Sequence, residues 1–115
     1  MREFFVYIVK CSDGLYYTGV TNDISRRIQE HNSGLNTKSF TFRRRPVDLV
    51  FYETFNDPYS AFRLEKQIKG WSRRKKEALI NRDWDKLVEL SKNYQLQGKK
   101  KGEEIESVYL SASSR

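Results

Sequence analysis

Residues 4–21 read FFVYIVKCSDGLYYTGVT, and this stretch decides the fold. The continuous apolar and aromatic run at 4–10 is typical of a strand that is buried on both faces. The Asp13-Gly14 pair then supplies a tight turn, and 15–20 has the composition of a returning strand. Because two strands joined by a tight turn are antiparallel, the stretch predicts a β-hairpin.

The rest of the chain predicts one further strand and four helices. A cap at Asn22 or Asp23 begins the first helix, which ends before Gly34. The third strand covers 47–55, with Leu49 and Phe51 on the same face. Three more helices are predicted over about 58–69, 73–81 and 83–93. The element order β-β-α-β-α-α-α predicts an α+β domain with a small, mainly antiparallel three-stranded sheet flanked by helices.

Length and composition indicate one small globular domain of a cytoplasmic protein. The chain has 115 residues, of which 37% are hydrophobic and 32% are charged. No apolar run approaches the ~20 residues of a membrane span, and no small-residue cleavage site suggests a signal peptide. The single cysteine, Cys11, excludes an internal disulfide and fits a reducing compartment. We assign the domain to residues 1–94 and interpret the mostly polar segment 95–115 as a flexible tail.

The charge of the chain favours an anionic partner. It carries 22 basic and 15 acidic residues, a net charge of +7, and most of that excess lies within residues 1–94. A folded surface with this bias attracts polyanions over long distances, nucleic acid before an anionic membrane.

An ordered set of polar residues gives the sequence a more specific interpretation. The set consists of Tyr7 in VYI, Tyr17 and Gly19 in YTG, Arg27 and His31 four residues apart on the first helix, and Glu65 in AFRLEKQIKG. With this set, the stretch from Phe4 to about Leu79 resembles the GIY-YIG nuclease superfamily, and within it the small, stand-alone YhbQ-like branch. The first motif lacks its glycine, and Val20 stands where some members carry a lysine.

The resemblance implies a metal-dependent phosphodiesterase with Glu65 as the ligand of a Mg²⁺ or Mn²⁺ ion. One carboxylate with waters and substrate phosphate is the usual way in which Mg²⁺ is held. Arg27 would hold the scissile phosphate, because a guanidinium presents a fixed fork of donors. Taken without the resemblance, Glu65 is more typical of a surface helix residue paired with Lys69.

The two tyrosines, Tyr7 and Tyr17, are implied to activate water or to orient the phosphate, with Tyr7 favoured as the proton acceptor. A free tyrosine has a pKa of ~10 and is a poor base at neutral pH. We expect a nearby cation, Arg27 or the metal ion, to lower that pKa. His31, with an ordinary pKa of ~6.5, is expected to share or relay the proton. Gly19 is expected to permit a close approach next to the strand.

A shared site also constrains the hairpin. A two-residue turn at Asp13-Gly14 would place Tyr7 and Tyr17 on opposite faces of the sheet, since side chains alternate along a strand. We therefore predict a connection of odd length, or a bulge, with Gly14 at positive φ.

Basic residues outside the motif set are candidates for contacts with phosphates. They are Lys38, Arg43, Arg44, Arg45, Lys69, Arg73 and Arg74. Such residues bind the nucleic-acid backbone without reading bases. Solubility is the alternative explanation for the two clusters at 43–45 and 73–76.

The leading hypothesis is a divalent-metal-dependent endonuclease acting on DNA, structure-selective and linked to repair or recombination. The alternative is a nucleic-acid-binding module that has the same fold and no catalysis. A protein-interaction domain is a third hypothesis, which leaves the motif residues unexplained.

Overall fold

Three strands form one antiparallel sheet in a computed structural model that describes residues 2–95. The strands are β1 (Phe4–Lys10), β2 (Tyr16–Thr21) and β3 (Asp48–Phe55), in the spatial order β2-β1-β3. The helices are α1 (Ile24–Ser33), α2 (Pro58–Lys69), α3 (Arg73–Ile80) and α4 (Trp84–Gln95), and a short 3-10 helix (Phe42–Arg44) precedes β3. The predicted α+β class and element order are confirmed.

The proposed tail at 95–115 lies outside the described residues, apart from Gln95, which is the last residue of α4. The domain boundary therefore stays a prediction. Across residues 2–95, no helix has both the length and the apolar character that crossing a membrane requires.

Side-chain caps fix where the helices begin. The Asp23 and Asp57 carboxylates each accept a hydrogen bond from a backbone N–H in the first turn of α1 and α2, at 3.0 and 2.9 Å. Gly34, with a φ of 74°, ends α1 in the left-handed conformation that glycine adopts most easily. Because Arg27 and His31 follow the Asp23 cap by one and two turns, this cap determines the direction in which both side chains leave α1.

The sheet separates two apolar clusters. The larger one lies on the face covered by α2, α3 and α4 and includes Val6 and Ile8 of β1. The smaller one lies on the face covered by α1 and includes Tyr7 and Val9. The central strand β1 is therefore buried on both faces, as its apolar run predicts. The candidate site lies on the α1 face.

β3 departs from regular alternation. Its pairing with β1 shifts register, so that Ile8 lies opposite Phe51 whereas Val9 lies opposite Leu49. The expectation that Leu49 and Phe51 share a face is wrong, because the additional residue Val50 turns Leu49 toward the opposite side. Phe51 is buried, while Leu49 is 37% exposed.

The hairpin between β1 and β2 has a loop of odd length. A hydrogen bond of 2.8 Å from the Cys11 N–H to the Leu15 carbonyl leaves three residues between them, and Gly14 has a φ of 87°. In the resulting register Tyr17 pairs with Val9, which lies two positions after Tyr7 on β1. Both tyrosines therefore lie on the same face of the sheet, and the hairpin prediction is confirmed.

The segment that joins α1 to β3 is held against α1 by Asn32. The Asn32 side chain donates to the Val47 carbonyl at 3.1 Å and accepts from the Val47 N–H at 2.8 Å. This two-point contact is adjacent in sequence to His31, so it keeps residues 35–46 near the C-terminal half of α1.

Candidate active site

Tyr7 lies at the centre of a buried hydrogen-bonded cluster between β1 and α1. Its hydroxyl oxygen is 2.9 Å from His31 Nε2 and 3.3 Å from Arg27 Nε. Both partners come from α1, where their four-residue spacing puts them on one face of the helix. Tyr7 is 1% exposed and His31 is 5% exposed. The structure thus brings together three of the predicted catalytic side chains.

Tyr17 is a partly exposed member of the same group. Its ring centroid is 6.4 Å from that of Tyr7 and 5.3 Å from that of His31. Gly19 lies opposite Tyr7 across the hairpin, and a Cβ atom there would stand 2.5 Å from the Tyr7 hydroxyl. The close approach predicted at Gly19 is therefore made by the phenol of Tyr7.

We expect Gly19→Ala to destabilise the protein by about 1–3 kcal/mol, the usual cost of overpacking a buried position. Tyr7 cannot yield easily, because it is buried and bonded to two residues of α1. Urea unfolding measures the loss. Gly70→Ala is the matched control, because its added Cβ meets the nearest atom at an ordinary 3.6 Å. Equal stability of the two variants would contradict the close contact at Gly19.

Two residues of the loop after α1 complete the cluster, and the sequence analysis missed both. Thr41 Oγ1 is 2.8 Å from His31 Nδ1, and Thr41 is fully buried. The Phe40 ring stacks on Tyr17 with centroids 5.9 Å apart and an angle of 25° between the planes. Neither residue belongs to a motif, and their loop is held near the site by tertiary contacts, among them the Asn32 contact with Val47.

Glu65 and Lys69 reach the cluster from α2. Glu65 Oε2 is 3.3 Å from Lys69 Nζ, and the same Nζ lies 5.7 Å from the centroid of the Tyr17 ring. The Glu65 side chain is 20% exposed. The ion pair of Glu65 with Lys69 is therefore present, and it lies beside the tyrosine cluster. The metal-binding role of Glu65 stays a prediction.

Burial controls the proton affinities in the site. Burial raises the pKa of Tyr7 to about 12, outweighing the opposing hydrogen bond and charge of Arg27, and the Glu65 charge adds to the rise. Arg27 lowers this pKa as expected, but the opposing effect of burial is larger, so the net pKa lies above the ordinary value. Burial, and then the charge of Arg27, lower the pKa of His31 below 6.5. At neutral pH the phenol is protonated and the imidazole is neutral.

Three of the predicted phosphate-binding arginines form contacts within the protein. Arg44 Nε is 3.0 Å from the Asp13 carboxylate, and Arg73 donates to the Gly14 carbonyl at 2.8 Å. Arg45 donates to a carbonyl of its own segment at 2.7 Å. Arg44 and Arg73 thus fasten the hairpin loop to two other segments of the chain.

The remaining cations of that set are placed differently. Lys38, Arg43 and Arg74 are exposed, and Lys69 belongs to the site itself. Arg43 and Arg74 are sequence neighbours of the two arginines that contact the hairpin loop. Exposed cations therefore occur in both segments that adjoin the hairpin.

The donor set suits a hard divalent cation. Within residues 2–95, no three His, Cys, Asp or Glu side chains are grouped as a ready-made metal centre. Mg²⁺ and Mn²⁺ do not require one, because Mg²⁺ keeps several waters and takes phosphate oxygens together with one or two carboxylates. The partly exposed carboxylate of Glu65 fits this role.

A cavity of about 240 Å³ opens beside the buried cluster. It is lined by Arg27, Glu30, His31, Leu35, Asn36 and Ser39. Within it, Arg27 forms an ion pair with Glu30 at 3.1 Å. One side of the guanidinium therefore contacts the phenol, and another side faces an opening large enough for a small polar group.

Known proteins match this chain both in sequence and in structure. The GIY-YIG catalytic domain family matches residues 3–78. A UPF0213 protein of Staphylococcus saprophyticus is 47% identical over 81 residues, which cover 70% of this chain and 98% of that protein. A UPF0213 protein of Staphylococcus aureus is 46% identical over 80 residues, which cover 70% of this chain and 96% of that protein. A solution NMR structure of an E. faecalis protein matches with a TM-score of 0.51 and 32% identity, covering 70% of this chain and 85% of its own.

Proposed function

This chain belongs to the GIY-YIG family of nuclease-type domains, and from that premise we propose that it is a divalent-metal-dependent endonuclease hydrolysing phosphodiester bonds in DNA. The observation that carries the proposal is the contact of the buried Tyr7 hydroxyl with both His31 and Arg27. Hydrolysis of a phosphodiester requires a proton acceptor, a cation for the phosphoryl oxygens and help for the leaving oxygen. The cluster and Glu65 supply residues for each requirement.

Tyr7 and His31 act together as the proton acceptor. A phenol whose pKa is raised to about 12 holds its own proton at neutral pH. The Tyr7 oxygen therefore takes a proton from the attacking water while its own proton passes to His31 Nε2, 2.9 Å away. Because the pKa of His31 is lowered, the imidazole is neutral at pH 7 and able to accept.

Arg27 binds the scissile phosphate. Its Nε contacts Tyr7, and its NH1 contacts the exposed carboxylate of Glu30. A phosphate oxygen entering the cavity replaces Glu30 as the partner of NH1, and it is then held next to the proton acceptor. Tyr17, which is partly exposed, orients the phosphate from the β2 side.

Glu65 would hold the Mg²⁺ or Mn²⁺ ion. Such an ion supplies charge stabilisation for the phosphoryl oxygens and for the leaving oxygen. Before it binds, Lys69 neutralises the Glu65 carboxylate at 3.3 Å. The lysine is also within reach of the Tyr17 ring, so a cation is present at the site even though Val20 replaces the lysine that some members carry.

DNA is the proposed partner, bound mainly through its backbone. The net charge of +7 and the exposed cations Lys38, Arg43 and Arg74 support phosphate contacts without base readout. An enzyme of this kind selects the structure of its substrate rather than its sequence, which suits repair or recombination. The buried free thiol of Cys11 fits a reducing compartment, and we place the activity in the cytoplasm.

We expect the double variant Arg43→Ala, Arg74→Ala to weaken DNA binding and to flatten its salt dependence. Each lost phosphate contact lowers the log–log slope by about 0.9 for duplex DNA. Fluorescence anisotropy over a series of salt concentrations measures that slope. Arg2→Ala with Lys92→Ala is the matched control, since it removes the same charge from exposed positions elsewhere. Identical slopes for both double variants would exclude a phosphate-binding role for Arg43 and Arg74.

A non-catalytic nucleic-acid-binding module is the second candidate, favoured by the near-complete burial of Tyr7, which is 1% exposed. Cleavage assays on labelled linear, branched and single-stranded DNA, with Mg²⁺, Mn²⁺ or EDTA, decide between the two. The endonuclease proposal requires cleavage that EDTA abolishes. Binding to DNA without cleavage of any substrate supports the module.

A further inference from the structure

The buried hydrogen bonds continue beyond His31 in an unbroken series. Tyr7 Oη lies 2.9 Å from His31 Nε2, and His31 Nδ1 lies 2.8 Å from Thr41 Oγ1. Thr41 Oγ1 is in turn 3.3 Å from Ser39 Oγ, at the wall of the cavity. Thr41 is 0% exposed. Both ring nitrogens of the histidine thus have a protein partner in the interior.

The direction of these bonds follows from Arg27. A guanidinium only donates, so the Tyr7 oxygen accepts from Arg27 Nε at 3.3 Å. The buried phenol proton needs an acceptor of its own, and His31 Nε2 is placed to be that acceptor. A neutral imidazole whose Nε2 accepts carries its proton on Nδ1. That Nδ1–H donates to Thr41 Oγ1, which leaves the hydroxyl proton of Thr41 to Ser39.

We propose that Thr41 is a positioning residue that fixes the Nδ1–H tautomer of His31, and so keeps Nε2 ready to take the proton of Tyr7. The effect of Thr41 on catalysis rests on the proposed function, whereas its effect on the tautomer of His31 does not. When His31 has accepted that proton, both of its N–H groups have acceptors, Tyr7 on one side and Thr41 on the other. The same hydroxyl therefore serves the neutral and the charged imidazole.

A purely structural role for Thr41 makes a different prediction. If its side chain only fills a buried space, valine, which has the same shape and no hydroxyl, would replace it without effect on His31. If the hydroxyl fixes the tautomer, valine removes the acceptor of Nδ1–H, whereas serine retains it. Thr41→Val and Thr41→Ser therefore form a matched pair.

The test is ¹⁵N NMR of the imidazole, and the chain has one histidine, so its signals need no further assignment. In the unmodified protein at pH 7.5 (about one unit above the ordinary pKa), we expect Nδ1 to be protonated and Nε2 to be the acceptor. Thr41→Val is expected to shift the population toward the Nε2–H form, and Thr41→Ser to keep the Nδ1–H form. A predominant Nε2–H form in the unmodified protein overturns the proposal, even if Thr41→Val does not fold.

Cleavage rates provide the second measurement. We expect Thr41→Val to cut DNA at least about tenfold more slowly. This loss is smaller than the whole rate enhancement that general acid–base catalysis usually provides. Thr41→Ser is expected to restore most of the rate. A parent-like tautomer and rate in Thr41→Val would overturn the proposal. Since the NMR measurement uses no DNA, the expected tautomers in a protein that cuts nothing would support the role of Thr41 while contradicting the endonuclease function.

Discussion

Replacing Glu65 with glutamine is expected to slow DNA cleavage by about a hundredfold or more, the usual cost of removing a charge-stabilising group from an active site. Glutamine has nearly the same shape but lacks the negative charge that a divalent cation needs. DNA binding should persist, because it depends on cations distributed over the surface. The substitution also releases Lys69 from its ion pair with residue 65, which leaves one more cation for DNA. Single-turnover cleavage over a range of Mg²⁺ and Mn²⁺ concentrations, with anisotropy in EDTA for affinity, measures both effects.

Glu89→Gln is the matched control for this experiment. Glu89 is exposed on α4, and its replacement makes the same chemical change away from the site. Equal cleavage by Glu65→Gln and Glu89→Gln would show that the activity comes from another site or from a contaminant. Full recovery of Glu65→Gln at high metal concentration would show that Glu65 sets metal affinity without taking part in the rate.

Tyr7→Phe is expected to lower the cleavage rate by about a hundredfold or more, within the range of lost acid–base catalysis. The substitution removes only the hydroxyl that joins Arg27 to His31. It also leaves the buried Nε2 of His31 without its donor, so we expect a loss of about 1–3 kcal/mol in the free energy of unfolding. Single-turnover rates and urea unfolding measure the two effects separately.

Tyr59→Phe is the control, because Tyr59 is 79% exposed and lies outside the cluster. It should match the parent in rate and stability. A stable Tyr7→Phe variant that cleaves at the parental rate would exclude the Tyr7 hydroxyl from the reaction and leave Tyr17 as the remaining phenol. A variant that loses stability and keeps its rate would give Tyr7 a structural role only.

The sheet and helices were predictable because their signals are local. The Asp13-Gly14 turn, the Asp23 and Asp57 caps and the apolar runs each act over a few residues, and the structure follows them. The face of the sheet on which Leu49 lies was not predictable from the sequence. It depends on the shift in register, which arises from the pairing of β3 with β1. Strand pairing joins residues about forty positions apart, and no local pattern encodes a bulge there.

The gathering of the motif residues was also predictable, because hairpin register and helical spacing are geometric rules. The environment of those residues was not. Burial, which raises the pKa of Tyr7, arises from packing by α1 and the following loop. Thr41 and Phe40 enter the cluster through the fold of that loop, which has no periodic pattern. The sequence indicates that Arg44 and Arg73 are available to bind phosphates, whereas tertiary contacts attach both to the hairpin loop.

The length of the three-residue hairpin loop decides whether Tyr17 lies on the same face of the sheet as Tyr7 or on the opposite face. Inserting or deleting one residue between Cys11 and Leu15 reverses the side on which every β2 side chain emerges. Tyr17 would then leave Tyr7 and His31, although no residue of the cluster had changed. A change of two residues preserves the arrangement. Variation in the length of this loop among active relatives should therefore occur in even steps, and a one-codon insertion here is a mutation that disables the site through register alone.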